Sequence, residues 1–119
     1  MEKQELELLE SQLQERGYKQ YFNSKYDNNA AYDYIKSFKD EDYDEIEYQV
    51  IYQVWDFERY RPGMGYGVSV VVLPATPFNL GRRDLLLDYR NKDLVQIDKI
   101  EQIAKRFYDF ILEQDKLFL

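Results

Sequence analysis

The sequence contains no cysteine and no histidine, and each absence removes whole classes of function. Without cysteine there is no disulfide, no thiol nucleophile and no cysteine-containing zinc site. Without histidine there is no imidazole to act as a general base or as a metal ligand. Hydroxyl nucleophiles are also scarce, and no histidine is present to activate Ser11, Ser24, Ser37, Ser69 or Thr76. We therefore predict a protein that is not an enzyme and that needs no cofactor.

Long apolar runs are missing as well. The longest unbroken run, residues 70–73, is far shorter than the roughly 20 residues that cross a bilayer as a helix. Residues 1–15 alternate charge and leucine, and they lack the apolar region of a secretory signal. These patterns predict a cytoplasmic protein that makes no membrane contact.

The alternating acids after residue 39 resemble part of a calcium-binding loop, but the pattern fails. Asp40, Asp42 and Asp44 match the first ligand positions of an EF-hand loop. That loop needs glycine at its sixth position, where Glu45 stands, and glutamate at its twelfth, where Ile51 stands. We therefore predict no metal site here and interpret the run as a solvated turn.

What the sequence has in excess is acid and tyrosine. It carries 23 acidic and 16 basic side chains, a net charge of −7, and 12 tyrosines. Residues 1–58 hold 15 of the acids and 6 of the bases, so this half carries −9 while residues 59–119 carry +2. Nine of the tyrosines precede residue 61. Because a basic footprint for phosphates is missing, we expect no direct nucleic-acid binding and instead a protein partner with a basic surface.

The hydrophobic periodicity predicts one α+β domain over residues 1–119. Apolar side chains recur at helical spacing in residues 2–16 and again in a longer segment, residues 93–116. Alternating patterns predict strands at residues 18–22, 31–38, 45–57, 66–73 and 83–90. Between residues 18 and 38 a helix remains an alternative. Short connections imply an antiparallel meander of three to five strands, packed on one face by the N-terminal and the long C-terminal helix.

The strand predicted at residues 45–57 has the clearest alternation in the chain. One face of it is entirely apolar or aromatic, while the other begins polar and becomes aromatic towards its end. Period-two logic assigns the first face to the core. Its members are Ile46, Tyr48, Val50, Tyr52 and Val54.

The run from residue 39 to residue 45 holds five acids in seven residues and is typical of a solvated hairpin loop. Carboxylates spaced over a folded surface can imitate phosphates, and a tyrosine adds rigid amphipathic contact area. We predict a partner-binding surface with Tyr43 as aromatic anchor among the acids Asp40, Glu41, Asp42, Asp44, Glu45 and Glu47. The alternative is a solvated acidic face over a tyrosine-rich core.

Basic side chains cluster in two places of the predicted meander. Arg82 and Arg83 should lie at the pole of the acidic run at residues 40–45, and a second cluster should lie at the opposite pole. The strands that end near residues 57 and 90 run in the same direction, so the cations that follow them should lie near one pole. They are Arg59, Arg61, Arg90 and Lys92. A local network of salt bridges and a contact to a small anion are the two interpretations.

Three stretches of the sequence resemble a group of small proteins from bacterial phages and mobile elements. They are the string from Tyr48 to Phe57 (YQVIYQVWDF), the Arg83-Asp84-Leu85 triplet, and residues 107–110 (FYDF). The proteins of this group are small, uncharacterised and of Bacteroidetes type, and they have no established activity that the resemblance could imply. The resemblance implies a setting in which small acidic proteins inhibit host defence, as anti-CRISPR and anti-restriction proteins do.

Two further functions compete with an inhibitor that occupies a basic, nucleic-acid-binding surface. Residues 68–73 form a strand that is apolar on both faces, which suits a structural module that dimerises. The second alternative is an enzyme that works with carboxylates and arginines alone. It would require two close carboxylates in a deep pocket.

Overall fold

The computed structural model of the protein describes residues 1–22, 30–75, 85–88 and 96–118. Two helices, α1 (Lys3–Glu15) and α2 (Ile97–Asp115), flank the sheet in sequence, and single 3₁₀ turns occupy Phe57–Arg59 and Lys116–Phe118. The strands are β1 (Lys19–Phe22), β2 (Ala31–Lys39), β3 (Ile46–Asp56), β4 (Tyr66–Pro74) and β5 (Leu85–Asp88). They form one sheet in sequence order, and every neighbouring pair is antiparallel.

This architecture confirms the predicted α+β meander between two helices. In the segment left open at residues 18–38, Lys19–Phe22 and Ala31–Phe38 are strand, and β1 and β2 pair with each other. Residues 23–29, 83–84, 89–90 and 93–95 of the predicted elements lie outside the described residues.

The sequence at the end of α1 explains how the chain turns into the sheet. Gly17 has a φ of +89°, a conformation that glycine adopts without steric cost. The amide of Gly17 donates to the carbonyl of Gln14 at 3.1 Å, and the amide of Tyr18 donates to that of Leu13 at 3.0 Å. This pair of bonds is the Schellman motif that ends helices. It delivers Tyr18 into the core, where its side chain is buried.

Both helices pack on the same face of the sheet. The stripe Leu6, Leu9 and Leu13 of α1 and the stripe Ile97, Ile100 and Ala104 of α2 join one buried cluster. Alternate residues of the central strands complete that cluster, and they are Tyr34, Tyr48, Val50, Tyr52, Val54, Val68, Val70 and Val72. Their side chains share a face because antiparallel partners in register point the same way.

The core prediction for β3 is wrong at Ile46, whose side chain is 42 % exposed. Phe38 pairs with Tyr48, but the next residue, Lys39, pairs with Ile46, so the register shifts by one residue. Glu47 is therefore the extra residue of a β-bulge, which breaks the alternation of faces at this end of the strand.

Close packing of an aromatic ring explains why glycine occupies position 67. A Cβ built on it would lie 2.6 Å from Cε2 of Phe57, closer than any ordinary carbon contact. The ring of Phe57 therefore lies directly against the backbone of β4, and a side chain at residue 67 would displace it.

Candidate binding surface: the acidic turn

The turn between β2 and β3 is held by its own acidic residues. The backbone amide of Asp40 donates to the carbonyl of Glu45 at 2.8 Å, and the amide of Asp44 donates to the carbonyl of Asp40 at 3.0 Å. The Asp40 carboxylate accepts the amides of Asp42 at 2.7 Å and Tyr43 at 3.3 Å. Asp44 sits at φ +55°, in the left-handed region that aspartate tolerates better than most residues. The loop is thus ordered by its own hydrogen bonds.

We call residues 40–45 the acidic turn. Asp40 is half-buried because it caps the turn, whereas the other four acids point into solvent. Tyr43 lies among them with 76 % of its surface exposed. Among the described residues one cation approaches these acids, since Lys39 Nζ lies 3.4 Å from Asp44 Oδ1. An exposed pair of this kind leaves most of the negative charge of the turn uncompensated by the described residues. Arg82 and Arg83, predicted near this turn, lie outside them.

The structure separates Glu47 from the other predicted site residues. Glu47 is half-buried at the bulge, and its carboxylate lies near Tyr108 of α2. Burial, together with this carboxylate, raises the pKa of Tyr108 to about 12. Glu47 therefore lies beside α2, and the exposed acids of the turn form a surface without it.

Two further carboxylates, which were not among the predicted site residues, connect the helices to residues of the sheet side. Glu10 of α1 accepts hydrogen bonds from the hydroxyls of Tyr32 (3.1 Å) and Tyr34 on β2. Glu101 of α2 accepts one from Tyr18 at 3.0 Å. Burial is the main reason that the pKa values of these three tyrosines are raised, and the nearby carboxylates raise them further.

A usable sequence signal existed for both glutamates. Glu10 lies four residues after Leu6 and three before Leu13, on the apolar stripe of α1. Glu101 lies four residues after Ile97 and three before Ala104, on the stripe of α2. A carboxylate on an apolar stripe must find a donor when the stripe packs, and tyrosine hydroxyls are the donors that this sheet offers.

Lys36 lies on the helix-facing side of β2 and extends this polar seam. Its Nζ is 3.7 Å from Glu101 Oε1. The same ammonium lies 5.7 Å from the ring centroid of Tyr18 and 5.1 Å from that of Phe38. The charge is therefore compensated by a carboxylate and by two aromatic faces.

Asp98 and Glu101 line one groove beside α2, but each is already engaged with a cation. Arg16 hydrogen-bonds to Asp98 across the ends of the two helices, and this bond holds the pKa of the Asp98 carboxyl below its usual value. Lys36 approaches Glu101. In the described part of the chain, no three acidic side chains converge in a way that would hold a metal ion.

The predicted basic pole is only partly within the described residues. Arg59 Nε donates to Asp56 Oδ2 at 3.1 Å, which matches the interpretation as a local salt bridge. Arg61 is exposed, while Arg90 and Lys92 lie outside the described residues. In the same connection the Glu58 carboxylate accepts the amides of Gly63 at 2.8 Å and Gly65 at 3.0 Å. The loop thus supplies its own anion to these two amides.

Comparison with protein-family models, with curated proteins and with solved structures finds no match in any of the three. Within the described residues, no helix has the length and apolar character needed to cross a membrane.

Proposed function

We propose that the protein is a non-enzymatic binding protein whose acidic turn occupies a basic, nucleic-acid-binding surface of a partner protein. The observation that carries this proposal is the acidic turn itself. It is ordered by the Asp40 cap and by the backbone bonds of Asp44, yet it presents Glu41, Asp42 and Glu45 to solvent around the exposed ring of Tyr43.

Order in the free turn favours binding, because a preorganised loop loses little conformational entropy when it docks. The carboxylates supply electrostatic steering towards arginine and lysine side chains. Tyr43 supplies an aromatic contact of the kind that is enriched at the centre of interfaces. A groove that evolved to hold phosphates offers both the cations and the planar surfaces that this turn would meet.

The partner class follows from the same chemistry. A surface that binds nucleic acid carries the cations that the acidic turn would meet. With the phage and mobile-element setting expected from the sequence, the proposed partner is a defence nuclease. The protein would then act as an anti-CRISPR-like or anti-restriction inhibitor, and would compete with the nucleic acid for the same groove.

A charge-reversal experiment tests this proposal. The variant carries Asp42→Lys and Glu45→Lys, which spares the Asp40 cap and the left-handed Asp44. The probe is a panel of purified bacterial defence nucleases, including RNA-guided ones, and the readout is displacement of labelled DNA from each enzyme. We expect the wild-type protein to displace DNA from at least one member at low ionic strength and less well near 0.15 M salt, where the Debye length is about 8 Å. The variant should lose this activity.

The matched control carries Glu7→Lys and Glu15→Lys on the exposed face of α1, which changes the net charge by the same amount. It should retain displacement if the turn is the binding surface. Equal loss in both variants would show a general charge effect. Displacement unchanged by the turn variant would refute the proposal, as would the absence of displacement by the wild-type protein across the panel.

A further inference from the structure

The face of the sheet opposite the helices, here called the open face, has an apolar row across its middle. Ile35 pairs with Ile51, and Ile51 pairs with Val71, so these three side chains lie side by side on the central strands. We call them the central row. Each is half-buried. Because they point away from the face that packs α1 and α2, neither helix stripe covers them.

A pair of polar side chains borders the central row on each side, and the two members of each pair hydrogen-bond to each other. On one side Gln49 Nε2 donates to Ser37 Oγ at 3.0 Å. On the other side Ser69 Oγ donates to Gln53 Oε1 at 3.2 Å. A polar group that already has a partner costs less to remove from water than one that loses its only hydrogen bond. The rows beside the central row are therefore suited to burial.

The open face is also nearly free of charge, although the chain as a whole carries −7. By strand register, the central row and the two rows that border it contain three charged residues, Lys19, Asp33 and Asp88. Depletion of charge is what distinguishes the centre of an interface from ordinary surface.

The area of the face is sufficient for a dimer. The strands contain 4, 9, 11, 9 and 4 residues. At about 3.3 Å per residue and about 4.8 Å between strands, they cover roughly 600 Å² of sheet plane in each copy. Two copies would then bury about 1,200 Å², at the lower end of the range for stable protein interfaces.

We propose that the open face is a homodimer interface, in which two copies pack sheet against sheet over their central rows. A second copy fits because the face is complementary to itself. Its apolar row can lie on the same row of a partner, and its amide and hydroxyl groups can both donate and accept. Close approach of two chains that each carry −7 is least opposed where the surface carries few charges. β4 is an interior strand between β3 and β5, so the contact is between faces and not along a strand edge.

The test is sedimentation velocity across a hundredfold range of concentration, on the wild-type protein and on Ile51→Lys. We expect the wild type to reach twice the monomer mass as concentration rises. Ile51→Lys should weaken association about 100-fold or more, since each copy would bury an unpaired ammonium. Leu8→Lys is the matched control, because it also replaces an apolar side chain by lysine, at an α1 position that is 59 % exposed and away from the open face. It should dimerise as the wild type does.

Val71→Ser provides a milder variant if Ile51→Lys does not fold, and circular dichroism checks both. A wild-type protein that stays monomeric throughout would overturn the proposal and leave the face to another occupant or to solvent. A dimer that persists in both open-face variants would overturn it too, because another surface would then be responsible. Added salt should strengthen this dimer by screening the −7 charges, whereas it should weaken binding through the acidic turn. The opposite salt dependence separates the two proposals.

Discussion

Replacement of Glu10 should reveal how far the buried carboxylate–tyrosine contacts hold α1 on the sheet. The Glu10 carboxylate receives the hydroxyls of both Tyr32 and Tyr34. Tyr34 is 1 % exposed, so its hydroxyl lies away from water. Substitution of Glu10 by leucine removes the acceptor that the buried hydroxyl of Tyr34 requires.

The magnitude follows from the number and kind of bonds lost. A hydrogen bond to a charged group contributes about 1.5–3 kcal/mol, and a buried donor left without an acceptor costs about 1–3 kcal/mol. Leucine recovers part of this loss, because Glu10 lies on the apolar stripe beside Leu9 and Leu13. We expect Glu10→Leu to lower the free energy of unfolding by about 2–4 kcal/mol. Glu10→Gln keeps one acceptor oxygen and should cost about 1–2 kcal/mol.

Urea denaturation of four proteins measures the contact itself. They are the wild type, Glu10→Leu, Tyr34→Phe and the double variant, and the cycle isolates the pairwise term. We expect a coupling of about 1–3 kcal/mol, and Glu7→Leu, at an exposed position on the same helix, should change stability by less than about 0.5 kcal/mol. A coupling near zero would refute the reasoning, because it would mean that Glu10 and Tyr34 stabilise the fold independently.

Three other perturbations have expected outcomes. The pKa values of Tyr48 and Tyr108 are raised to about 12, mainly by burial, above the value of 10 for an unfolded tyrosine. Their contribution is complete below pH 10 and is lost between pH 10 and 12, when the unfolded state ionises first, so the free energy of unfolding measured in urea should fall over this range; a flat profile would contradict this. Gly67→Ala should lower the free energy of unfolding by about 1–3 kcal/mol, because the new methyl group displaces the ring of Phe57. Adding Phe57→Leu to this variant should restore part of the lost stability, and urea denaturation of the single and double variants measures both effects. Because Asp44 has a positive φ, Asp44→Val should lower the free energy of unfolding by about 1–2 kcal/mol, and Asp44→Gly should lower it less. An equal loss for both variants in urea would show that the backbone conformation is not the cause.

The fold was largely predictable because the helical and the strand repeats of apolar residues occupy separate segments of the sequence. The leucines of α1 recur every three or four residues, and the apolar side chains of β3 recur every two. Each period assigns a face, and once a face is assigned, short connections leave the antiparallel meander as the simplest arrangement. Gly17 then marks the end of α1, because the Schellman motif requires a residue with positive φ.

The binding surface was less predictable, since charge alone does not say which acids remain exposed. The bulge at Glu47 depends on how Phe38 and Lys39 pair with β3, a long-range register that no local pattern encodes. The role of Glu10 depends on which strand α1 lies against. Both acids belong to the half of the chain that carries −9. Glu10 was not among the predicted binding residues, and it forms hydrogen bonds inside the fold. Glu47 was among them, and it lies half-buried at the bulge.

The association of acid with tyrosine therefore has two physical origins in this protein. Where a glutamate lies on an apolar helix stripe, as Glu10 and Glu101 do, tyrosine hydroxyls on the sheet side supply the donors that make its burial tolerable. Where acids crowd a hairpin, as in the acidic turn, the backbone order depends on Asp40 while the remaining charge faces solvent next to Tyr43. Only the second arrangement offers unsatisfied charge to another molecule. Charge reversal at Asp42 and Glu45 should therefore change binding without loss of stability, while loss of Glu10 should change stability without altering the acidic turn.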